Sequence, residues 1–391
     1  MFAWRSEEVY PHSTREIMTP RTMLALFSVV VTAALAIGFG PQTLTYLATL
    51  GPLPIVLAAV GAIGLALAFD FVNGFHDTAN ACATIVYSGV LRPWVAIGMS
   101  ALLNFLGAIL VGTTVALFIT SVIPLHTVTL PLILAVLLAG LFWNVITWWK
   151  GLPVSSTHCL IGSLVGGGLA AAGASGITWA AFYKALIALA VSPIIGFVVA
   201  LIIGAIAHKL VPDAEAESET SWKHKVLPWL QILSSASVSF SHGSNDGQKT
   251  MGIITLILAT QFAALGYSTT HVPFWVVLAA ASAIGLGTAT GGWRIMETVG
   301  KKLSHKSMSP KHGSAAEITT AVTVFTSSFI GVPVSTTHVL TSGVVGATWG
   351  IHGRKHINPS TLKSIVLAWL LTLPVTAVLA AIAYQVTSRL I

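Results

Sequence analysis

Long apolar stretches, broken at intervals by short charged connections, run through this chain from residue 22 to its last residues. Between consecutive Asp, Glu, Lys or Arg residues the uncharged runs are 22–69, 93–149, 151–183, 185–208, 226–245, 250–293, 318–353 and 364–388. A hydrocarbon layer about 30 Å thick takes about 20 residues of helix at about 1.5 Å each, so every run holds at least one span. By the same measure the runs 22–69, 93–149 and 250–293 hold two apiece. The pattern predicts an all-α integral membrane protein of about 10–12 membrane segments, half-spans included.

The polar positions divide this apolar background. Residues 1–21 mix Arg5, Arg15 and Arg21 with Glu7, Glu8 and Glu16, giving an N-terminal polar segment in which no cleavable signal peptide is expected. Residues 209–225 include VPDAEAESETSWKHK and read as a hydrophilic linker between a first membrane half, 22–208, and a second, 226–391.

The halves resemble each other. GLPVSSTH at 151–158 and GVPVSTTH at 331–338 agree at six of eight positions, and each is preceded by an Asp motif, GFHDTAN at 74–80 and GSNDGQK at 243–249. A weaker match pairs Asn104–Gly107 with Glu297–Gly300. The offsets between copies are 169, 180 and 193 residues, which describes an old duplication carrying insertions. Paired apolar halves interrupted at corresponding places by Gly, Pro and polar residues point to a site between repeats near the bilayer midplane, built from broken or re-entrant helices.

The interruptions suggest a chemistry. Pro153 and Pro333 are followed by the hydroxyl clusters Ser155, Ser156, Thr157 and Ser335, Thr336, Thr337, and then by small-residue apolar segments. This is how a helix starts: Pro gives up no needed N–H, Ser or Thr caps the free donors, and the exposed N–H groups carry partial positive charge. Two such ends facing one another can enclose a tetrahedral oxyanion. The alternative is that the hydroxyls only ease close packing of helices, an account that suits one isolated cluster better than a duplicated one. Asp77 and Asp246 are costly at bilayer depth, at least about 2.5 kcal/mol on insertion scales, and persist when partnered or functional. A structural ion pair of Asp246 with Lys249 is one explanation; cation coupling or proton transfer is the other. Asp70, Lys150 and Lys184, which flank or interrupt apolar runs, are expected at the interface with snorkelling side chains.

Composition narrows the choice. Only 8% of the 391 residues are charged and 55% are hydrophobic, too few polar side chains for a water-soluble surface. The net charge of +7 sits in short connections such as Arg294 to Lys311, the usual cytoplasmic bias of a polytopic protein, so nucleic acid is not an expected partner. Cys82 and Cys159 show no metal-type spacing. HExxH, GxSxG and Walker sequences are missing, which disfavours a zinc hydrolase, an acyl hydrolase and direct use of ATP. A membrane-embedded metal-dependent hydrolase using His76, Asp77 and Asp246 remains as a distant alternative.

DFVNGFHDTAN, GLPVSSTH, SFSHGSNDGQK and GVPVSTTHVL together resemble the inorganic phosphate transporter (PiT) family, and most nearly its bacterial low-affinity permeases, over residues 60–391. The resemblance implies inverted repeats, alternating access and phosphate symport, either as the free ion with sodium or, in the permease branch, as a metal–phosphate complex with protons. It implies substrate contacts from Ser155, Ser156, Thr157, Ser335, Thr336, Thr337, Asp77, Asn80 and Asp246; Lys249, which departs from the family pattern, is expected to join them as a tethered positive charge where a sodium ion would otherwise sit. It implies ion coupling through His76, Asp77, Asn80, Asn245, Asp246, Gln248 and Glu297. His76 and Lys249 stand where sodium-coupled members tend to carry Asn, and Asn104 stands where a Glu is often found. The expectation is therefore a secondary active importer of inorganic phosphate coupled to protons, not an enzyme, without covalent cofactor, multi-pass in the bacterial inner membrane. Sodium coupling and sulfate as cargo are the alternatives, a divalent metal accompanying phosphate is left open, and so is a homodimer.

Overall fold

The computed structural model describes residues 53–212 and 221–391, together with Ala25 and Ser28. The polar segment 1–21 and the middle of the 209–225 linker lie outside the described residues. The first half contains α1 (Leu53–Tyr87), α2 (Pro93–Leu110), short α3 (Thr114–Thr120), α4 (Leu130–Trp149), α5 (Ser156–Ala172) and α6 (Trp179–Leu210). The second contains α7 (Trp222–Gln261), α8 (Phe274–Thr290), α9 (Trp293–Glu297) continuing into a π turn at Thr298–Lys302, α10 (Pro310–Ile330), α11 (Thr336–His352) and α12 (Pro359–Leu390).

Among the described residues six helices are long and apolar enough to cross a membrane, α1, α2, α4, α5, α6 and α12, and α8 with α9 makes a seventh if that pair, bent by 62°, is one span. Of the remaining long helices, α7 and the start of α11 carry the second half's polar motifs, and α7, α10 and α11 bury Ser, Thr, His, Asp, Lys and Glu side chains. A bundle helix whose polar face looks inward need not be apolar throughout.

The two copies of G-x-P-V-S are helix punctuation. Gly151 and Gly331 adopt φ of +66° and +71°, the left-handed region in which only glycine is unstrained, and so end α4 and α10. Pro153 and Pro333 stand where neither helix continues. Ser155 and Ser335 then open α5 and α11 as N-caps, each accepting a hydrogen bond from the backbone N–H three residues on, at 3.1 Å.

Apolar side chains gather in two large clusters. α1 contributes residues from Ala59 to Phe69 to one and from Ala79 to Val86 to the other; α7 runs oppositely, giving Val238 to the second cluster and Met251 to Leu258 to the first. The Asp motifs of both helices fall between the clusters. α2 and α8 are likewise opposed, since Ala96 and Ile97 share a cluster with Ile295 while Ala108 shares one with Val276 to Ala283.

Glycine brings these helices close. Gly74 of α1 lies on the Ile284 carbonyl of α8 and Gly287 of α8 on the Phe71 carbonyl; in the same manner Gly243 of α7 lies on the Asn104 carbonyl of α2 and Gly107 on the Phe240 carbonyl. Gly107 therefore corresponds to Gly287, 180 residues on, the offset of the hydroxyl motifs. The sequence pairing of Asn104–Gly107 with Glu297–Gly300 is corrected: Asn104 stands on α2 in the interior, and Glu297 ends the short α9 at the surface.

The outer helices are exchanged between halves. α5 packs on α12 through Gly162 and Gly166, and α11 packs on α6 through Gly346 and Gly350. Only 22% of the α6 span and 28% of the α12 span is buried, so these two face lipid, whereas 61% of the α5 span is interior. Lys150 and Lys184 are exposed.

A Cβ at Gly107 or Gly243 overlaps a backbone oxygen, whereas Gly61 and Gly98 have open space. Gly107→Ala or Gly243→Ala should therefore cost about 1–3 kcal/mol and lower the unfolding temperature in detergent by several degrees. Gly61→Ala and Gly98→Ala should leave it unchanged or raise it. Equal effects at all four positions would contradict the packing account.

Candidate functional site

Between the two apolar clusters lies a buried polar cluster built from both Asp motifs and both hydroxyl motifs. The motif loops meet at the centre: Thr157 donates to the Val334 carbonyl at 3.0 Å, and the His158 and His338 rings are 4.5 Å apart. Trp369 of α12 stacks on His338 at 4.0 Å and donates to the Pro153 carbonyl at 2.7 Å, tying both loops to one outer helix.

Each hydroxyl motif faces the Asp motif of the other half. Lys249 of α7, 0% exposed, donates to Asp246 Oδ2 at 2.6 Å, Ser156 Oγ at 2.7 Å and Thr157 Oγ1 at 3.1 Å, using all three N–H groups of its ammonium. Ser156 also donates to Asp246 Oδ2 at 3.2 Å. On the opposite side Asn80 of α1 donates to Thr337 Oγ1 at 3.0 Å, and Thr337 reaches Asp77 Oδ1 at 3.4 Å. Lys249 has no cationic counterpart there, because the corresponding residue is Asn80.

Two histidines complete the centre. His76 Nδ1 is 2.8 Å from Asp77 Oδ1, and its Nε2 is 3.3 Å from Thr147 Oγ1. His242 Nε2 lies between the carboxylates, 3.5 Å from Asp77 and 3.4 Å from Asp246. Its other nitrogen is 2.8 Å from Asn104 Oδ1, while Asn104 Nδ2 donates to Thr288 at 3.1 Å. Asn104 thus accepts from His242 Nδ1–H, which turns Nε2 toward two carboxylates. That edge is satisfied by an imidazolium N–H, or by a cation shared between ring and carboxylates. Asp77, His242 and Asp246 offer ligand atoms that all lie within 4.8 Å of one another.

The structure brings together Asp77, Asn80, Asp246, Lys249, His76, Ser156, Thr157 and Thr337. Thr336 is buried beside them with its hydroxyl unpartnered among the described residues. Ser155 and Ser335 instead spend their hydroxyls on capping α5 and α11. Three expected ion-coupling residues turn elsewhere. Gln248 accepts from the Val115 and Ala116 N–H groups at 2.8 and 3.2 Å, capping α3. Asn245 donates to Ser327 and Ser328, each at 3.2 Å. The half-exposed Glu297 pairs with Lys302 at 3.2 Å and does not join the cluster.

Some buried polar groups were not singled out from the sequence. His242, which the sequence places beside the second Asp motif without a role, precedes Asp246 by one helical turn and shares its face. Glu317 of α10, 0% exposed, accepts from Thr84 and Ser234 and, at 3.4 Å, from Gln231. It bounds an apolar run, and so reads from the sequence as a terminus. Asp70 is the clearest correction: expected at the interface, it is 0% exposed on α1.

Opposed helices that present oxyanion-type helix starts and buried charges at the centre of a membrane bundle define a membrane transporter for an anion. The family model for the phosphate transporter family matches residues 73–380. A probable low-affinity inorganic phosphate transporter of Bacillus subtilis (strain 168) is 44% identical over 329 residues, covering 83% of this chain and 96% of that protein. The low-affinity inorganic phosphate transporter PitB of Escherichia coli (strain K12) is 27% identical over 84% of this chain and 96% of its own. A solved structure described as "The sodium-dependent phosphate transporter" aligns with a TM-score of 0.74 at 27% identity, over 86% of this chain and all of that one. The chain belongs to the phosphate transporter family, and is a multi-pass plasma-membrane transporter rather than an enzyme.

Removing one member of a buried ion pair leaves the other uncompensated. Lys249→Met should cost about 3–5 kcal/mol of stability, and Lys249→Met with Asp246→Asn should recover most of it. Thermal unfolding in detergent reads both; a single variant as stable as the parent would show that the pair is not formed.

Proposed function

We propose that this protein imports inorganic phosphate by symport with protons, binding it between the N-termini of α5 and α11. The observation that carries the reading is the Lys249 ammonium seated on the Ser156 and Thr157 hydroxyls at the start of α5. An anion binding there would take over donors that now serve Asp246 and the Val334 carbonyl, those of the ammonium and the two hydroxyls, and would add the free N–H groups of a helix start. Thr336 and Thr337 supply the corresponding hydroxyls at α11. The relatives described above, inorganic phosphate transporters, support phosphate over sulfate as cargo.

Coupling to protons is supported by what stands beside the carboxylates. Lys249 is a tethered cation next to Asp246, where a mobile sodium ion would otherwise neutralise the carboxylate. His76 and His242 place two imidazoles, side chains that can take up and release a proton, against Asp77 and Asp246. A second reading of the cargo is a metal–phosphate complex, favoured by the proximity of Asp77, His242 and Asp246, one imidazole and two carboxylates being a fitting donor set for a divalent ion travelling with phosphate.

Uptake of labelled phosphate into proteoliposomes, with proton and sodium gradients imposed separately and with and without magnesium, tests both. Proton-driven uptake without sodium is expected, with at least about a tenfold loss in Lys249→Met, since charge-assisted hydrogen bonds contribute about 1.5–3 kcal/mol. Uptake that follows sodium alone sinks the coupling. Sulfate transported in place of phosphate sinks the cargo.

A further inference from the structure

Asp70 lies on α1 two turns before Asp77, and neither of its carboxylate oxygens has a hydrogen-bond partner among the described residues. Two neighbours share that condition. Thr250 and Asn73 are the polar side chains that flank this carboxyl, and Thr250 Oγ1 and Asn73 Oδ1 are themselves buried and unpartnered among the described residues. The charged groups facing Asp70 are Lys249 and Asp246, both on α7. The other helices packed along this part of α1, namely α2, α4 and α8, contain no Asp, Glu, Lys, Arg or His. α9 with its π turn, α10 and α11 reach α1 at Phe75 and beyond, Gly292 against Phe75, Gly300 against Tyr87, Glu317 on Thr84 and Thr337 on Asn80, and His76 and Asp77 follow on α1 itself.

An ionised Asp70 makes no direct ion pair in this arrangement, because all three N–H groups of Lys249 are engaged by Asp246, Ser156 and Thr157. A buried carboxylate without donors is among the costliest states in a membrane interior. The neutral acid fits. Its O–H can donate to Asn73 Oδ1, joining two acceptors that an ionised carboxylate would leave facing each other, while its other oxygen can accept from the Thr250 hydroxyl in either protonation state.

We propose that Asp70 is the residue that binds the coupling proton, a statement that rests on the proton-symport reading above. When the proton leaves, ionised Asp70 competes with Asp246 for Lys249, draws the ammonium from the Ser156 and Thr157 hydroxyls, and adds negative charge beside the anion. Proton and phosphate therefore bind together and leave together. Phosphate affinity falls as pH rises through the titration of Asp70.

The test compares wild type, Asp70→Asn and Asp70→Glu in proteoliposomes, measuring phosphate exchange between equal internal and external phosphate, and accumulation driven by a pH gradient. Asn mimics the protonated acid, so Asp70→Asn is expected to keep exchange, to lose gradient-driven accumulation, and to retain only the pH dependence of phosphate's own second ionisation. Asp70→Glu is expected to accumulate phosphate with a shifted pH profile. Accumulation by Asp70→Asn with the wild-type profile overturns the proposal, as does loss of exchange in a folded, monodisperse Asp70→Asn protein. Should Asp70→Asn not fold, the Glu variant decides: a shifted profile supports the assignment and an unchanged one overturns it. Failure of the symport reading itself is seen separately, in wild-type vesicles that exchange phosphate but accumulate it only with sodium.

Discussion

A charged group held away from water needs a partner for each of its donors and acceptors, and the arrangement around Lys249 follows from that requirement. Its ammonium finds one carboxylate and two hydroxyls, drawn from its own helix and from the start of α5 in the other half. To deliver those hydroxyls, α5 must begin in the interior. That in turn needs a chain break at Gly151 and Pro153, a cap at Ser155, and close glycine-mediated packing of α5 on α12. The second motif repeats the construction at Gly331, Pro333, Ser335 and α11, and the Asp motif that it serves is again the other half's.

This crossing of partners ties binding to the relation between halves. A ligand seated at α5 touches groups anchored on α7, and one seated at α11 touches groups anchored on α1, so displacement of one half against the other alters both ends of the site together. The paired outer helices α6 and α12, each packed on the motif helix of the opposite half and each with a proline inside the span, Pro193 and Pro374, place the least buried elements against the most buried ones. The asymmetry matters as much as the symmetry. Asn80 occupies the place corresponding to Lys249, and Asn73 the place corresponding to His242, so one side of the site is cationic and the other is an amide. A directional gradient can act on such a difference, whereas two identical sides would respond alike.

Buried carboxylates in this molecule fall into two states. Glu317 accepts from three donors and is satisfied as it stands, while neither carboxylate oxygen of Asp70 has a hydrogen-bond partner among the described residues, with Thr250 and Asn73 as its flanking polar side chains. Both are equally hidden from solvent. Burial alone does not separate these two acids; the number of donors in place does.

Residue order alone was enough to establish the solvent, the helical class and the centre of the site. Apolar runs of span length leave lipid as the only environment, and the duplicated motifs name Asp77, Asp246, Lys249, Ser156, Thr157 and Thr337, because a Gly-Pro-Ser break and an intramembrane acid have few physical uses. Residue type did not reveal direction. Ser155 and Ser335 look the same as their neighbours yet turn back to cap their own helices, Gln248 caps α3, and Asn245 reaches α10. The positions of Asp70 and Glu297 came from packing in three dimensions: Asp70 at the edge of an apolar run is drawn inside by the packing of α7 on α1, whereas Glu297, which looks like the partner of Asn104, ends a short helix at the surface because the chain bends after Gly291. Linear spacing fixes which face of one helix two residues share, but which helix that face meets depends on contacts made by residues far apart in the chain.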